Sequence, residues 1–326
     1  MIPPRCARLG LVTLLVMTTA CTREPTPPAV IAPTATEELR WERLADAPTA
    51  RTEVTATTDG TLVYVIGGFD DAAETVATVE VYDPDGDEWR TAPDLPVAVN
   101  HAMSAHMDGT IYLFGGYLGP GLTHPSGRAF ALRDGGWEEV SPMPEPRAAA
   151  GAAAVGNRIY VAGGVGLEGL ARNMLVFDPG RDRWSTAEGP PTAREHLGVA
   201  AFGDRLFVVG GRTGGIGSNL HAAEILDPRA QSWTRLDDMP SARGGIAAAA
   251  TSNGFVIAVG GEAETTFDEA EAFDIERERW ISLPPMPTAR HGLGAVAVGT
   301  VLFVIAGGTE PGYSFSSANE ALDLDP

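Results

Sequence analysis

Short β-branched and aromatic runs recur along the chain, each with the length and alternation of a strand. One set ends in glycine: TLVYVIGG, TIYLFGG, RIYVAGG, RLFVVGG, FVIAVGG and VLFVIAGG. A second set ends in an acid, as in VEVYDP, MLVFDP, AEILDP and AEAFDI. A turn then leads to a tryptophan and a proline-rich loop (MPEPR, PPTAR, MPSAR, MPTAR), and after it comes a stretch of small residues such as AAAGAAAV. This order predicts four strands per unit. The alanine stretches favour helix by propensity, but their fixed phase makes them strands. They are expected innermost, around an axis where only small side chains fit.

Two markers keep this phase. The tryptophans at 41, 89, 137, 184, 233 and 280 are spaced by 48, 48, 47, 49 and 47 residues. The Gly-Gly pairs starting at 67, 115, 163, 210, 260 and 307 are spaced by 48, 48, 47, 50 and 47. Such a period is the signature of a repeat architecture. Gly-Gly after the second strand, an aromatic-Asp in the third and Trp six residues later resemble the Kelch repeat, over residues 41–326. No Trp is followed by Asp, which separates the chain from the WD repeat. The resemblance implies an all-β, six-bladed β-propeller. Trp41 opens with a fourth strand that lacks three before it, and residues 290–324 supply three strands that lack a fourth. The two ends are therefore expected to complete one blade and close the ring, leaving no long free edge.

The beginning of the chain has a different character. Arg5 and Arg8 precede an apolar stretch from 9 to 20 that is too short to span a bilayer, and it ends Thr18, Thr19, Ala20, Cys21. This resembles a bacterial lipoprotein signal, which implies removal of residues 1–20 and a lipid on Cys21. Residues 21–39 are rich in Pro and Thr and read as a tether; residues 40–326 form the propeller. The only cysteines are Cys6 and Cys21, so the propeller can hold no disulfide.

All 23 basic residues are arginine, against 43 acids, for a formal charge of −20. The lack of lysine excludes Schiff-base chemistry and a phosphate-loop lysine. The acidity argues against sequence-independent nucleic-acid binding. No dinucleotide fingerprint, nucleophile elbow or zinc-helix motif occurs, and no cofactor or metal is expected.

Two positions recur at the start of each unit, on the face where the resemblance places binding. The first holds Arg51, Arg147, Arg194, Arg243 and Arg290, with Val99 in the second unit. Glu80, Glu224, Glu271 and Glu320 accompany four of these arginines, which suggests buried ion pairs; the alternative is an arginine ring that binds an anion. The second position, two residues on, reads Glu53, His101, Ala149, His196, Gly245 and Gly292. Strand alternation puts it on the same side as the arginine and His291 and Glu195 on the other. It reads as an exposed loop end, and its variation makes Glu53, His101 and His196 the candidates for function. The loops after Gly-Gly carry acids in units five, six and one, among them Glu262 and Glu310, and neutral or basic residues in units two to four, among them Tyr117 and Arg212.

These features point to an exported, lipid-anchored binding module at the cell surface or in the periplasm, monomeric, with an extracytoplasmic protein or glycan as partner. Its membrane contact would be the N-terminal lipid alone. The alternative is a carbohydrate epimerase or mutarotase resembling bacterial sialic-acid epimerases. The resemblance to galactose oxidase stops at the missing propeller cysteine, which that enzyme's cofactor requires.

Overall fold

The computed structural model describes residue 1 and residues 39–325. The signal segment, Cys21 and nearly all of the tether lie outside the described residues. No helix among the described residues is long and apolar enough to cross a membrane.

Residues 39–325 build six antiparallel four-stranded sheets. Blade three shows the pattern: Gly151–Val155, Arg158–Ala162, Asn173–Asp178 and Arg183–Glu188 pair in chain order. The acid that ends the third strand shapes the next turn. The Asp227 carboxylate accepts the backbone N–H of Arg229 at 2.9 Å and of Ala230 at 3.0 Å, and Asp274 does the same for Arg277 at 3.0 Å. This is the local turn chemistry that aspartate supplies.

The alanine stretches form the innermost strands, and each packs on the inner strand of the next blade until the sixth meets the first. The approach is close. A Cβ built on Gly198 would lie 2.6 Å from the Ala248 Cβ, and one on Gly151 would lie 2.3 Å from Val199. Tertiary crowding thus selects small residues over strand propensity.

Closure joins the two ends as expected. Trp41, Glu42 and Arg43 pair antiparallel with Leu322, Ala321 and Glu320. The tryptophans repeat one further bond. Each indole Nε1–H donates to a carbonyl at the end of the preceding blade's outer strand: Trp89 to Ala45 at 2.8 Å, Trp137 to Pro93 at 2.9 Å, Trp184 to Ser141 at 2.7 Å, Trp233 to Glu188 at 3.1 Å and Trp280 to Asp237 at 2.9 Å. Trp41 completes the series by donating to Pro284 at 2.8 Å. The cores lie largely between blades; Phe114 of blade two packs edge-on against Phe177 and Trp184 of blade three.

The sixth glycine pair is shifted by one residue. The other five pairs have positive φ at both members, whereas the sixth uses Ala306 (φ 58) and Gly307 (φ 99). The Gly307 N–H donates to the Arg51 carbonyl, as Gly68 does to Val99 and Gly116 to Arg147. Gly308 is there for space: a Cβ on it would lie 2.5 Å from the His291 ring.

Candidate binding site at the channel mouth

The five arginines are at most 1% exposed. Arg51, Arg194, Arg243 and Arg290 bind Glu80, Glu224, Glu271 and Glu320 at 2.7, 2.8, 2.8 and 2.6 Å. Their remaining donors reach backbone carbonyls within the blade, such as Arg51 to Gly67 at 2.8 Å and Arg243 to Gly260 at 2.7 Å. Arg147 meets Leu175 where the others have Glu, and binds Glu145 at 3.2 Å and the Asn173 side chain at 3.1 Å instead. None of the five lines the mouth cavity. The arginine ring open to an anion is therefore corrected: these side chains fasten the loops of five blades from within.

Two residues further on, the backbone leaves the extended region. φ is +52 at Glu53, +52 at His101, +51 at Ala149, +51 at His196, +73 at Gly245 and +57 at Gly292. In this conformation the six form a ring of hydrogen bonds about the axis. The His101 N–H donates to Glu53 at 3.1 Å, Ala149 to His101 at 3.0 Å, His196 to Ala149 at 2.9 Å, Gly245 to His196 at 3.0 Å and Gly292 to Gly245 at 3.0 Å. Val54, adjacent to Glu53, donates to Gly292 at 3.3 Å. An L-residue in this region costs roughly 1–2 kcal/mol, and blades five and six show that glycine serves. Glu53, His101 and His196 are held there against local preference, which is where function tends to sit.

The left-handed turn also cancels strand alternation. Neighbouring residues converge on the mouth, so His291 and Glu195, expected to point elsewhere, belong to the same cluster. Glu53 Oε2 lies 3.2 Å from His101 Nε2, and Glu53 Oε1 lies 3.7 Å from His291 Nε2. His196 Nδ1 donates to Glu195, whose other oxygen accepts Arg212 Nε at 2.9 Å. Arg212 then reaches Glu262 at 2.9 Å. The His101 and His196 rings meet edge to face with centroids 4.9 Å apart. Above them a cavity of about 180 Å³ is lined by Phe69, Leu122, Ile216 and Tyr313. Tyr313 donates to the Pro120 carbonyl at 3.4 Å, so loops of blades six and two touch across the opening.

The expectation of exposed, solvated side chains is also corrected. The side chains of His101, His196 and Glu53 are 4%, 9% and 13% exposed. Burial pushes the Glu53 carboxyl upward, but His101, His196, His291 and Arg212 outweigh it and hold it at about 2. Burial pushes His101 down to about 4, against the pull of Glu53. Burial likewise raises Glu195, and its bonds to His196 and Arg212 reverse this and bring it below the ordinary range. The mouth thus pairs an ionised carboxylate with a neutral imidazole at hydrogen-bond distance, a set able to accept and relay protons or to grip hydroxyl groups. No metal was expected from the sequence, yet Glu53, His101 and His196 offer donor atoms within 4.8 Å of one another. They come from blades one, two and four, so no local ligand spacing could have revealed them. The acids of blade five do not form a separate acidic half at this point, because Glu262 is tied to Arg212 of blade four.

The Kelch motif model matches residues 50–96 and 146–191, and the KLHDC2/KLHL20/DRC7 Kelch-repeats domain model matches residues 183–308. Among curated proteins, the chain is 28% identical over 156 residues to beta-scruin of Limulus polyphemus, covering 44% of this chain and 17% of that protein. It is 31% identical over 125 residues to Kelch-like protein 35 of Mus musculus, covering 38% and 21%. The match thus spans about a fifth of the length of these relatives. The solved structure of YjhT superposes with a TM-score of 0.73 at 18% identity, covering 84% of this chain and 95% of that one.

Proposed function

We propose, for a chain that carries Kelch repeats on a six-bladed propeller, that it is an exported, lipid-anchored binding module that takes the end of a glycan, or a polar loop of a protein, into its channel mouth. The observation that carries this reading is the left-handed ring. Three of its six positions keep large polar side chains where glycine would relieve strain, and Gly292 is bare where a Cβ would lie 2.7 Å from Glu53 Oε1. The cavity suits one polar unit: carboxylates and imidazoles on the floor to bind hydroxyls, and the exposed Leu122 and Tyr313 at the rim to cover an apolar ring face. The anchor on Cys21 would present that mouth outside the cytoplasm. Binding of the full chain to a glycan array and to extracytoplasmic extracts tests this. Retention by wild type and loss in Glu53→Gln and His196→Ala are expected; retention unchanged in both variants would refute the assignment.

A carbohydrate epimerase or mutarotase is the second reading. It is favoured by the Glu53 carboxylate lying 3.2 Å from the His101 imidazole, groups of the kind that accept and return the proton in sugar-ring opening. Proton NMR of anomer exchange separates the two, since a binding module leaves the spontaneous rate unchanged.

A further inference from the structure

We propose that the channel mouth binds one divalent transition-metal ion through Glu53, His101 and His196, with an open coordination position toward the mouth cavity. One ligand atom from each residue lies within 4.8 Å of the others. Two imidazoles and one carboxylate with a position left for water or ligand are a donor set that zinc and ferrous iron take, whereas calcium and magnesium favour oxygen alone.

The outer shell supports this more than the donor set does. Metal-binding histidines characteristically pledge their other ring nitrogen to an acceptor, which fixes tautomer and ring orientation. His101 Nδ1 lies 2.7 Å from Asn100 Oδ1. The Asn100 amide orientation is set independently, because its Nδ2 donates to the Gly119 carbonyl at 3.0 Å and to Thr75 Oγ1 at 2.9 Å. Asn100 Oδ1 therefore accepts, His101 Nδ1 carries the proton, and Nε2 faces the Glu53 carboxylate at 3.2 Å. Two electron-pair donors so placed are completed by a cation between them. In His196, Nδ1 donates to Glu195, itself fixed by Arg212 at 2.9 Å, which leaves Nε2 as the donor. His291 repeats the device by donating from Nδ1 to the Gly308 carbonyl at 3.2 Å, with Nε2 at 3.7 Å from the other Glu53 oxygen.

Charge points the same way. Glu195 and Glu262 each bind Arg212 at 2.9 Å, and Glu53 lies beside His101 and His291 in the same largely buried cluster, so among the described residues three carboxyl groups gather around one guanidinium. A divalent cation balances them. The backbone ring holds the three ligands, from blades one, two and four, in fixed left-handed positions about the axis, as a preorganised site requires.

The metal reading stands independently of what the mouth otherwise binds, and its test uses metal alone. The full chain, stripped with a chelator, is titrated with Co²⁺ and followed by visible absorption. Bands that saturate at one equivalent and bleach on adding Zn²⁺ are expected. Glu53→Gln and His196→Asn should each weaken binding at least 100-fold, roughly the upper range seen for lesser outer-shell changes. Glu195→Gln should weaken it about 10–100-fold, and His124→Asn, an exposed histidine, should change nothing. Circular dichroism establishes that each variant is folded. If the ligand variants fail to fold, the wild-type titration and Glu195→Gln decide. Absence of saturable bands in the wild type, or unchanged binding in the folded variants, would overturn the proposal.

Discussion

Two positions, two residues apart, recur in every blade, and they are conservative in opposite ways. At the first, the side chain is kept: five arginines, each buried and bonded to carboxyl groups or carbonyls within its blade. At the second, only the backbone is kept: φ stays between +51 and +73 and the hydrogen-bond ring runs through all six blades, while the side chains read Glu, His, Ala, His, Gly, Gly. A job repeated in five blades fixes a residue. A job done once, at the axis where the blades converge, uses the same backbone to hold different chemistry.

Blade two sharpens the first half of that contrast. Val99 replaces the arginine and Phe130 stands opposite, where four of the other blades have glutamate, and both are packed in an apolar cluster. A buried ion pair can give way to well-packed apolar residues at little cost, whereas removing one partner strands the other. Arg194→Ala should therefore lower stability by about 3–5 kcal/mol, read by urea denaturation. The double change Arg194→Val with Glu224→Phe should cost clearly less than Arg194→Ala alone. A double variant as unstable as the single one would show that blade two is a special case.

Closure comes next in size. Trp41→Ala removes a half-buried indole and its bond to Pro284, and should cost about 2–4 kcal/mol. Trp41→Phe removes mainly the hydrogen bond and should cost about 1 kcal/mol. Equal losses for the two would mean that the bond, not the packing, latches the ring.

At the mouth, acid should find His101. In the unfolded chain it takes its proton near 6.5, and in the folded protein near 4. Between these values the unfolded state binds more protons, so this contribution is complete above pH 6.5 and is lost as pH falls toward 4, by up to about 3 kcal/mol. Glu53 and Glu195 oppose this shift while His196 and Arg212 add to it, and Glu53 stays ionised down to about 2, outside the window. Urea melts of chelator-treated protein at pH 7, 5.5 and 4 measure the slope, each pH being about 1.4 kcal/mol per unit for one proton. His101→Gln should flatten it. The smallest effect is expected from Ala149→Gly, which relieves a left-handed alanine that makes no polar contact from its side chain, with a gain of about 0.5 kcal/mol.

Much of the first position was legible in the sequence and little of the second. The accompaniment of Arg51, Arg194, Arg243 and Arg290 by Glu80, Glu224, Glu271 and Glu320 announced the pairs, and the incomplete ends announced the joining of Trp41 to residues 318–324. Arg147 escaped because its partners come from its own loop and from Asn173, off the repeat position. The sixth glycine pair was misplaced by one because Ala306 can adopt the turn conformation when its neighbours enforce it. Glu53, His101 and His196 were singled out for their variation, but as exposed loop ends. Strand alternation was carried one residue too far, past a left-handed turn that brings His291 and Glu195 into the same cluster. Contacts among residues of different blades leave no local spacing to read.

The central claim is that the mouth cluster serves function and the arginine network serves stability. It is tested most directly by the urea unfolding free energy at pH 7 of chelator-treated Glu53→Gly/His101→Gly/His196→Gly, which gives blades one, two and four the backbone residue of blades five and six. Relief of three left-handed side chains offsets their lost contacts, and Glu195 keeps Arg212. Stability within about 1 kcal/mol of wild type is the predicted result. A loss as large as that of Arg194→Ala, about 3–5 kcal/mol, would make the cluster a structural element and contradict the account.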